Sequence, residues 1–246
     1  MSGSPNFYAP AHLIRDYDLF CPIVDVAPVI QENGIDAILP YWGEISVPVD
    51  KLIKNAGFLV LEIGSVENEH TVQTAAVAVF QSLNALFSAC HDIVGYERIR
   101  TAVELSEFLK LYRCNFSHII MIGHGGMEGI HFLDRNSPVR GNELAGLLAA
   151  DNHDNDIQIV SLCCHSGCAE NARALSNGEG VTEVIAPEGA FDLRWSVHFV
   201  LGYFLSLFLK GKNLEEAVCD AALDKVATPM KIWRKGHEIY RCAEGD

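Results

Sequence analysis

The chain lacks any apolar run of the roughly 18 to 20 residues that a membrane-spanning helix needs. Its longest such run, Val197 to Leu209, contains His198, Gly202 and Ser206 and sits between Arg194 and Lys210, which predicts a buried helix instead. The N-terminus, MSGSPNFYAPAHLIRD, lacks the basic segment and apolar stretch of a secretory signal. Together these absences set the expectation of a cytoplasmic protein with no membrane contact. Positive charge is scarce: 18 lysines and arginines against 32 acidic residues give a formal charge of −14 at pH 7. No basic stripe is present to neutralise phosphates, so direct nucleic-acid binding is not expected, whereas a basic substrate or partner would be attracted. Internal repeats and low-complexity tracts are also missing, which argues against a repeat architecture.

What is present is enough for one substantial core: 246 residues, 49% of them hydrophobic. Six of the nine prolines (Pro5, Pro10, Pro22, Pro28, Pro40 and Pro48) fall before residue 55 among short irregular apolar runs. Residues 1–55 are therefore expected to be an extension packed on a single domain, 56–246. Eight cysteines (21, 90, 114, 163, 164, 168, 219 and 242) lie mostly in apolar segments of a chain too large to need disulfide staples, which suits a reduced compartment.

From Gly57 the pattern becomes regular. FLVLEIG (58–64) reads as a buried strand, followed by a helical stretch with Val72, Ala76, Val79, Phe80, Leu83, Leu86 and Phe87. A weaker strand near 92–96 leads to a helix announced by a capping box, Thr101 with Glu104, and carrying Val103, Leu105, Phe108, Leu109 and Tyr112. HIIMIG (118–123) is a third strand, ending in His124, Gly125 and Gly126. Residues 142–150 look helical; IQIVSLC (157–163) is a fourth strand that runs into Cys164, His165, Ser166, Gly167 and a helix from about Ala169. VTEVIAP (181–187) is a fifth. Short polar turns are expected at 67–69, 151–156 and 177–180. Apolar strands alternating with helices predict an α/β fold: a three-layer αβα sandwich around a mainly parallel sheet of about six strands, with all strand C-termini on one edge.

On that edge two strand ends offer a histidine and a cysteine. A free thiol, with a pKa of about 8.5, is mostly protonated at neutral pH, so a cysteine nucleophile gains from an adjacent imidazole and a helix N-terminus. Cys164 is placed to have both, with His124 as general acid and base. Gly125, Gly126 and Gly167 allow the backbone to turn tightly and approach a bound peptide, and the N–H groups of Gly125 and Cys164 are the candidate oxyanion hole. No cofactor and no metal is required by this chemistry.

The histidine precedes the cysteine by 40 residues, the reverse of the papain-like order. In that order, IIMIGHGGMEGIHFLD, VSLCCHSG and VIAPEGAFDLRWSVHFVLGYFLSLFLKGKNLEEAVCDA resemble the motifs of caspase-like cysteine peptidases (clan CD). They are closest to the CHAT domain branch related to separase, over about residues 57–225. The resemblance implies a caspase-like fold and a thiol protease with a Cys-His dyad, His124 and Cys164. It also implies a protein or peptide substrate, and control by a partner, dimerisation, self-cleavage or a ligand, a regulatory protein among them. The alternative is a catalytically silent caspase-like module that binds a partner through the same groove.

Several residues carry two readings. Cys163 and Cys164 must face opposite sides of a strand; the family register selects Cys164 and leaves Cys163 to packing. Cys163, Cys164, His165 and Cys168, with His124 and His131 nearby, offer zinc ligands, but without paired C-x-x-C spacing. Glu188 and Asp192, after the fifth strand, are candidate substrate-binding carboxylates for an arginine or lysine before the scissile bond. Asp192 alternatively caps the next helix, and Asp134 is either a pocket wall or a turn residue. His70, His118, His153, His198 and His237 stand outside any motif.

Overall fold

A computed structural model describes residues 57–64, 69–87, 93–134, 136–149, 156–222 and 228–242. The N-terminal extension expected at 1–55 and most of the turns expected at 67–69 and 151–156 lie outside the described residues. The elements, in chain order, are β1 (Phe58–Ile63), α1 (Glu69–Leu86), β2 (Val94–Ile99), α2 (Ala102–Tyr112), β3 (His118–Gly123), β4 (Gly125–Gly126) and β5 (Gly129–Ile130). They continue with α3 (Gly141–Leu148), β6 (Ile157–Ser161), α4 (Ala169–Ser176), β7 (Val181–Pro187), α5 (Ser196–Phe204), α6 (Leu214–Ala222), β8 (Met230–Arg234) and β9 (His237–Cys242).

Seven strands form one sheet in the order β2-β1-β3-β6-β7-β8-β9. The first five run parallel, and β8 and β9 are added antiparallel. The sheet thus has seven strands rather than about six. The C-terminal hairpin β8–β9, which the sequence pattern did not announce, closes one end.

Alternation along the strands divides the core into two layers. Phe58, Val60, Ile120, Ile122, Val160, Leu162 and Ile185 face one side and pack on α1, α5 and α6, through residues such as Val72, Val79, Phe199, Phe204 and Val218. Leu59, Leu61, Ile119, Met121, Ile159, Cys163 and Val184 face the other and pack on α2, α3 and α4, through Leu105, Leu109, Leu144, Leu148, Ala172 and Leu175. This is the expected αβα sandwich.

Local chemistry explains the boundaries. At the start of α2 the Thr101 hydroxyl accepts from Glu104 N–H at 3.0 Å while the Glu104 carboxylate accepts from Thr101 N–H at 3.1 Å, the expected capping box. Strand β2 lies further along than 92–96 because its polar residues are used. Arg98 pairs at 2.8 Å with Glu62, a fully buried carboxylate in β1, and the Tyr96 hydroxyl donates to the same group. The expected helix over 193–209 is three pieces: a 3₁₀ turn Leu193–Trp195, then α5, then a π-helical turn Leu205–Leu209. It is buried as expected, with Phe199, Val200, Tyr203 and Phe204 all sealed from solvent. Among the described residues no helix is long and apolar enough to cross a membrane.

Candidate active site

His124 follows β3 and Cys164 lies just beyond β6, its parallel neighbour. The register pairs Met121 with Ser161, and Leu162 N–H donates to Met121 O at 2.8 Å, so the two strands leave the sheet side by side. The contact persists past the strands: a Cβ built on Gly125 would fall 2.5 Å from Cys164 O and 3.3 Å from Cys164 N. Only glycine permits so close an approach of these two backbones. Gly126, by contrast, has room within the chain, since a Cβ there would meet only His131 Nε2 at 3.7 Å.

The small hairpin after His124 directs its amides. His131 N–H donates to His124 O at 3.0 Å and Ile130 N–H turns away to Val139 O at 3.0 Å. Gly125 and Ile130 therefore form a non-hydrogen-bonded antiparallel pair, and the Gly125 N–H points out of the hairpin. Strand alternation carries His124, after Ile120 and Ile122, toward the layer against which Cys164 packs. His124 is half-buried, and its Nε2 has no hydrogen-bond partner among the described residues.

The Cys164 sulfur has a defined polar neighbour that the sequence did not reveal. Phe191 N–H donates to Cys164 Sγ at 3.3 Å, and the same residue's carbonyl lies 3.7 Å from the sulfur. Phe191 belongs to the segment after β7. Its side chain is buried and set edge-on to Phe199 of α5, with ring centroids 6.3 Å apart. An apolar anchor thus fixes a backbone amide against the thiol.

The turn after Cys164 is held from the same side. His165 adopts a left-handed backbone (φ 58°), uncommon for a residue other than glycine, and donates its N–H to Gly189 O at 2.8 Å. Gly167 N–H donates to Pro187 O at 2.8 Å, and a Cβ at Gly167 would fall 2.6 Å from Ala186 O. The helix α4 begins at Ala169, as expected, with Cys168 as its N-cap, and the turn between Cys164 and the helix pins the chain to β7.

Cys163 is fully buried in the opposite layer, and burial pushes its thiol up to about 12. It is a packing residue in this fold. With Cys163 and Cys164 splayed to opposite layers, the donors at 163–168 do not converge, and among the described residues no group of three or more His, Cys, Asp or Glu side chains could hold a metal.

Of the proposed pocket carboxylates, Glu188 is paired with Lys231 at 3.0 Å and Arg241 at 2.5 Å, from the C-terminal hairpin. Lys231 also pairs with Glu238 at 3.0 Å. Burial works against the Lys231 ammonium, yet its hydrogen bonds to Glu238 and Glu188 prevail and hold its pKa above that of an ordinary lysine. Asp192 caps the 3₁₀ turn, accepting from Arg194 N–H at 3.0 Å, and pairs with the Arg194 guanidinium at 2.5 Å, whose hydrogen bonds keep its carboxyl below the usual range. Asp134 is an exposed turn residue whose carboxylate accepts from Ala102 N–H at 3.4 Å. Beside these groups an open cleft of about 510 Å³ is lined by Met127, Glu128, Arg140, Cys168, Glu188 and Lys231.

The remaining histidines are elsewhere. His118, at the opposite end of β3, lies against Phe58, Phe204 and Phe208 with ring centroids 5.1 to 5.4 Å away. His198 sits edge-on to Trp195, His70 and His237 are exposed, and His153 lies outside the described residues.

Comparison with solved structures finds the same fold in an inactive zymogen of a C11 protease from Parabacteroides distasonis, with a TM-score of 0.52 and 10% sequence identity over 74% of this chain. The match covers 62% of that structure's length. The likeness establishes the fold: a caspase-like α/β sandwich. No protein-family model matches the chain, and no curated protein sequence does.

Proposed function

We propose that the chain is a cysteine peptidase in which Cys164 is the nucleophile, His124 the general acid and base, and the N–H groups of Gly125 and Cys164 the oxyanion hole. The observation that carries this reading is the backbone contact between Gly125 and Cys164, which brings the ends of the histidine and cysteine strands together on one edge of the sheet. In the reaction His124 takes the Cys164 proton as the sulfur bonds to a peptide carbonyl carbon. The resulting oxyanion is held by the two amides. Collapse breaks the C–N bond, and His124 gives its proton to the leaving amine. Water, deprotonated by His124, then attacks the thioester; the C–S bond breaks and Cys164 leaves as the thiol once more.

The finer assignments belong to the same proposal. Kinship with the CHAT branch rests on the strand-His-Gly and strand-Cys motifs. The single domain 56–246, a cytoplasmic site of action and control by a regulatory protein rest on the sequence. Cleavage after a basic residue is favoured by the charge of −14, with Glu188 and Asp192 as candidate carboxylates. Each would have to exchange a cation of the chain, Lys231 or Arg241 for the first and Arg194 for the second, for that of the substrate.

The test is a peptide-library digest followed by mass spectrometry. Cleavage by wild type that disappears in Cys164→Ala and in His124→Ala supports the reading. Activity that survives Cys164→Ala and vanishes in Cys163→Ala reassigns the nucleophile. Cleavage after aspartate without basic preference removes the pocket carboxylates. No cleavage by wild type with any peptide favours the silent binding module.

A further inference from the structure

Outside the proposed dyad, two sulfurs meet. Cys219, on the half-buried side of α6, and Cys242, the final residue of β9, are both thiols, and their Sγ atoms lie 3.5 Å apart. Cys242 is buried against the same apolar layer on which Cys219 packs, and its strand position is fixed by pairing with Met230 of β8. A disulfide needs its sulfurs at about 2.05 Å, an approach of about 1.5 Å from this contact.

We propose that Cys219 and Cys242 are a reversible dithiol–disulfide site, whose co-reactant is a small-molecule disulfide. Cys219, the more exposed of the two, attacks a sulfur of that molecule; an S–S bond forms to Cys219 and one small thiol leaves. Cys242 then attacks the Cys219 sulfur, the internal S–S bond forms, and the second small thiol leaves. Two protein thiols are oxidised and one disulfide is reduced to two thiols, so electrons and protons balance. A dithiol reductant reverses both steps.

The bond would join two structures that converge on the segment after β7. Arg241, next to Cys242, pairs with Glu188, and Lys231, which stands opposite Arg241 in the hairpin, does the same. On the other side, α6 packs on α5, which carries the Phe199 that anchors Phe191. A Cys219–Cys242 link therefore ties the hairpin to the helical layer on either side of residues 188–191. The cross-link also shortens the unfolded chain's reach, which stabilises the fold whenever native geometry accepts it.

The proposal is independent of any peptidase activity. Full-length protein is incubated natively with glutathione disulfide, quenched with a maleimide, digested without reduction and mapped by mass spectrometry. The expected product is a Cys219–Cys242 linked peptide, lost on treatment with dithiothreitol and absent from Cys219→Ser and Cys242→Ser. The oxidised protein should also unfold at a temperature several degrees above the reduced one. Glutathione retained on Cys219 alone, linkage through other cysteines, no modification, or an oxidised protein that unfolds no higher than the reduced one would each overturn the proposal. Cys219→Ala, lacking any hydroxyl, guards against a serine variant that misfolds.

Discussion

The Phe191 amide donates to the Cys164 sulfur at 3.3 Å, and the ring of the same residue is buried against Phe199. The nucleophile proposed here is therefore positioned by a backbone group whose own place is set by core packing. A hydrogen bond to a developing thiolate is worth about 1.5 to 3 kcal/mol, roughly tenfold or more in rate. Phe191→Pro, which removes the N–H, is expected to slow iodoacetamide alkylation of Cys164 by about that factor. Phe191→Leu keeps the amide and most of the bulk and should alkylate near the wild-type rate. Equal slowing in both variants would place the effect in the ring and not in the amide.

Gly125→Ala would set a methyl 2.5 Å from Cys164 O and 3.1 Å from Cys163 Cβ. The obstacle is backbone, so the hairpin must shift and the Gly125 N–H with it. Loss of an oxyanion donor typically lowers kcat by about 100-fold or more. The expected outcome is that loss in cleavage rate with the fold retained by circular dichroism, whereas Gly126→Ala, where space exists, should remain within a few-fold of wild type.

His118 gives the fold an acid limit. Burial lowers its pKa from 6.5 to about 4, while Ser117 Oγ lies 2.8 Å from its Nδ1. The folded state prefers the neutral ring and the unfolded chain binds the proton, so stability is complete above about pH 6.5 and falls as pH drops toward 4. The loss amounts to about 3 kcal/mol. Urea unfolding across that window should show the decline in wild type and a shallower one in His118→Phe, in which an aromatic ring remains against Phe58, Phe204 and Phe208.

The Glu62–Arg98 pair offers a test of the sheet itself. Arg98→Met takes this guanidinium away from a fully buried carboxylate and should cost about 3 to 5 kcal/mol. Adding Glu62→Gln removes the buried charge but keeps an acceptor for the Tyr96 hydroxyl, and should recover much of that loss. A double variant as unstable as Arg98→Met alone would contradict this.

Much of the architecture was legible because each signal had a local cause. His118–Gly123 and Val181–Pro187 were readable as strands from continuous apolar runs, and α2 from a capping box whose two bonds both form. The splay of Cys163 and Cys164 followed from strand alternation alone. The C-terminal hairpin was not read, although Lys235 and Gly236, both with left-handed backbones, join β8 and β9 in a tight turn. Its strands mix charge with apolar residues because Lys231 and Arg241 serve ion pairs. Phe191 was invisible for a deeper reason: it meets the Cys164 sulfur through its backbone amide, which every residue but proline possesses, at a spot fixed by the tertiary fold. Glu188 and Asp192 were correctly located after β7, but a sequence does not disclose that their cations come from residues as distant as Arg241 and as near as Arg194.

The most direct test of the account is labelling by a peptide chloromethylketone, with the modified residue mapped by mass spectrometry in wild type, His124→Ala and Cys164→Ala. The account requires rapid labelling of wild type at Cys164, strong slowing in His124→Ala and none in Cys164→Ala. Labelling at Cys168 or Cys219, or labelling of Cys164 at a rate indifferent to His124, would contradict it.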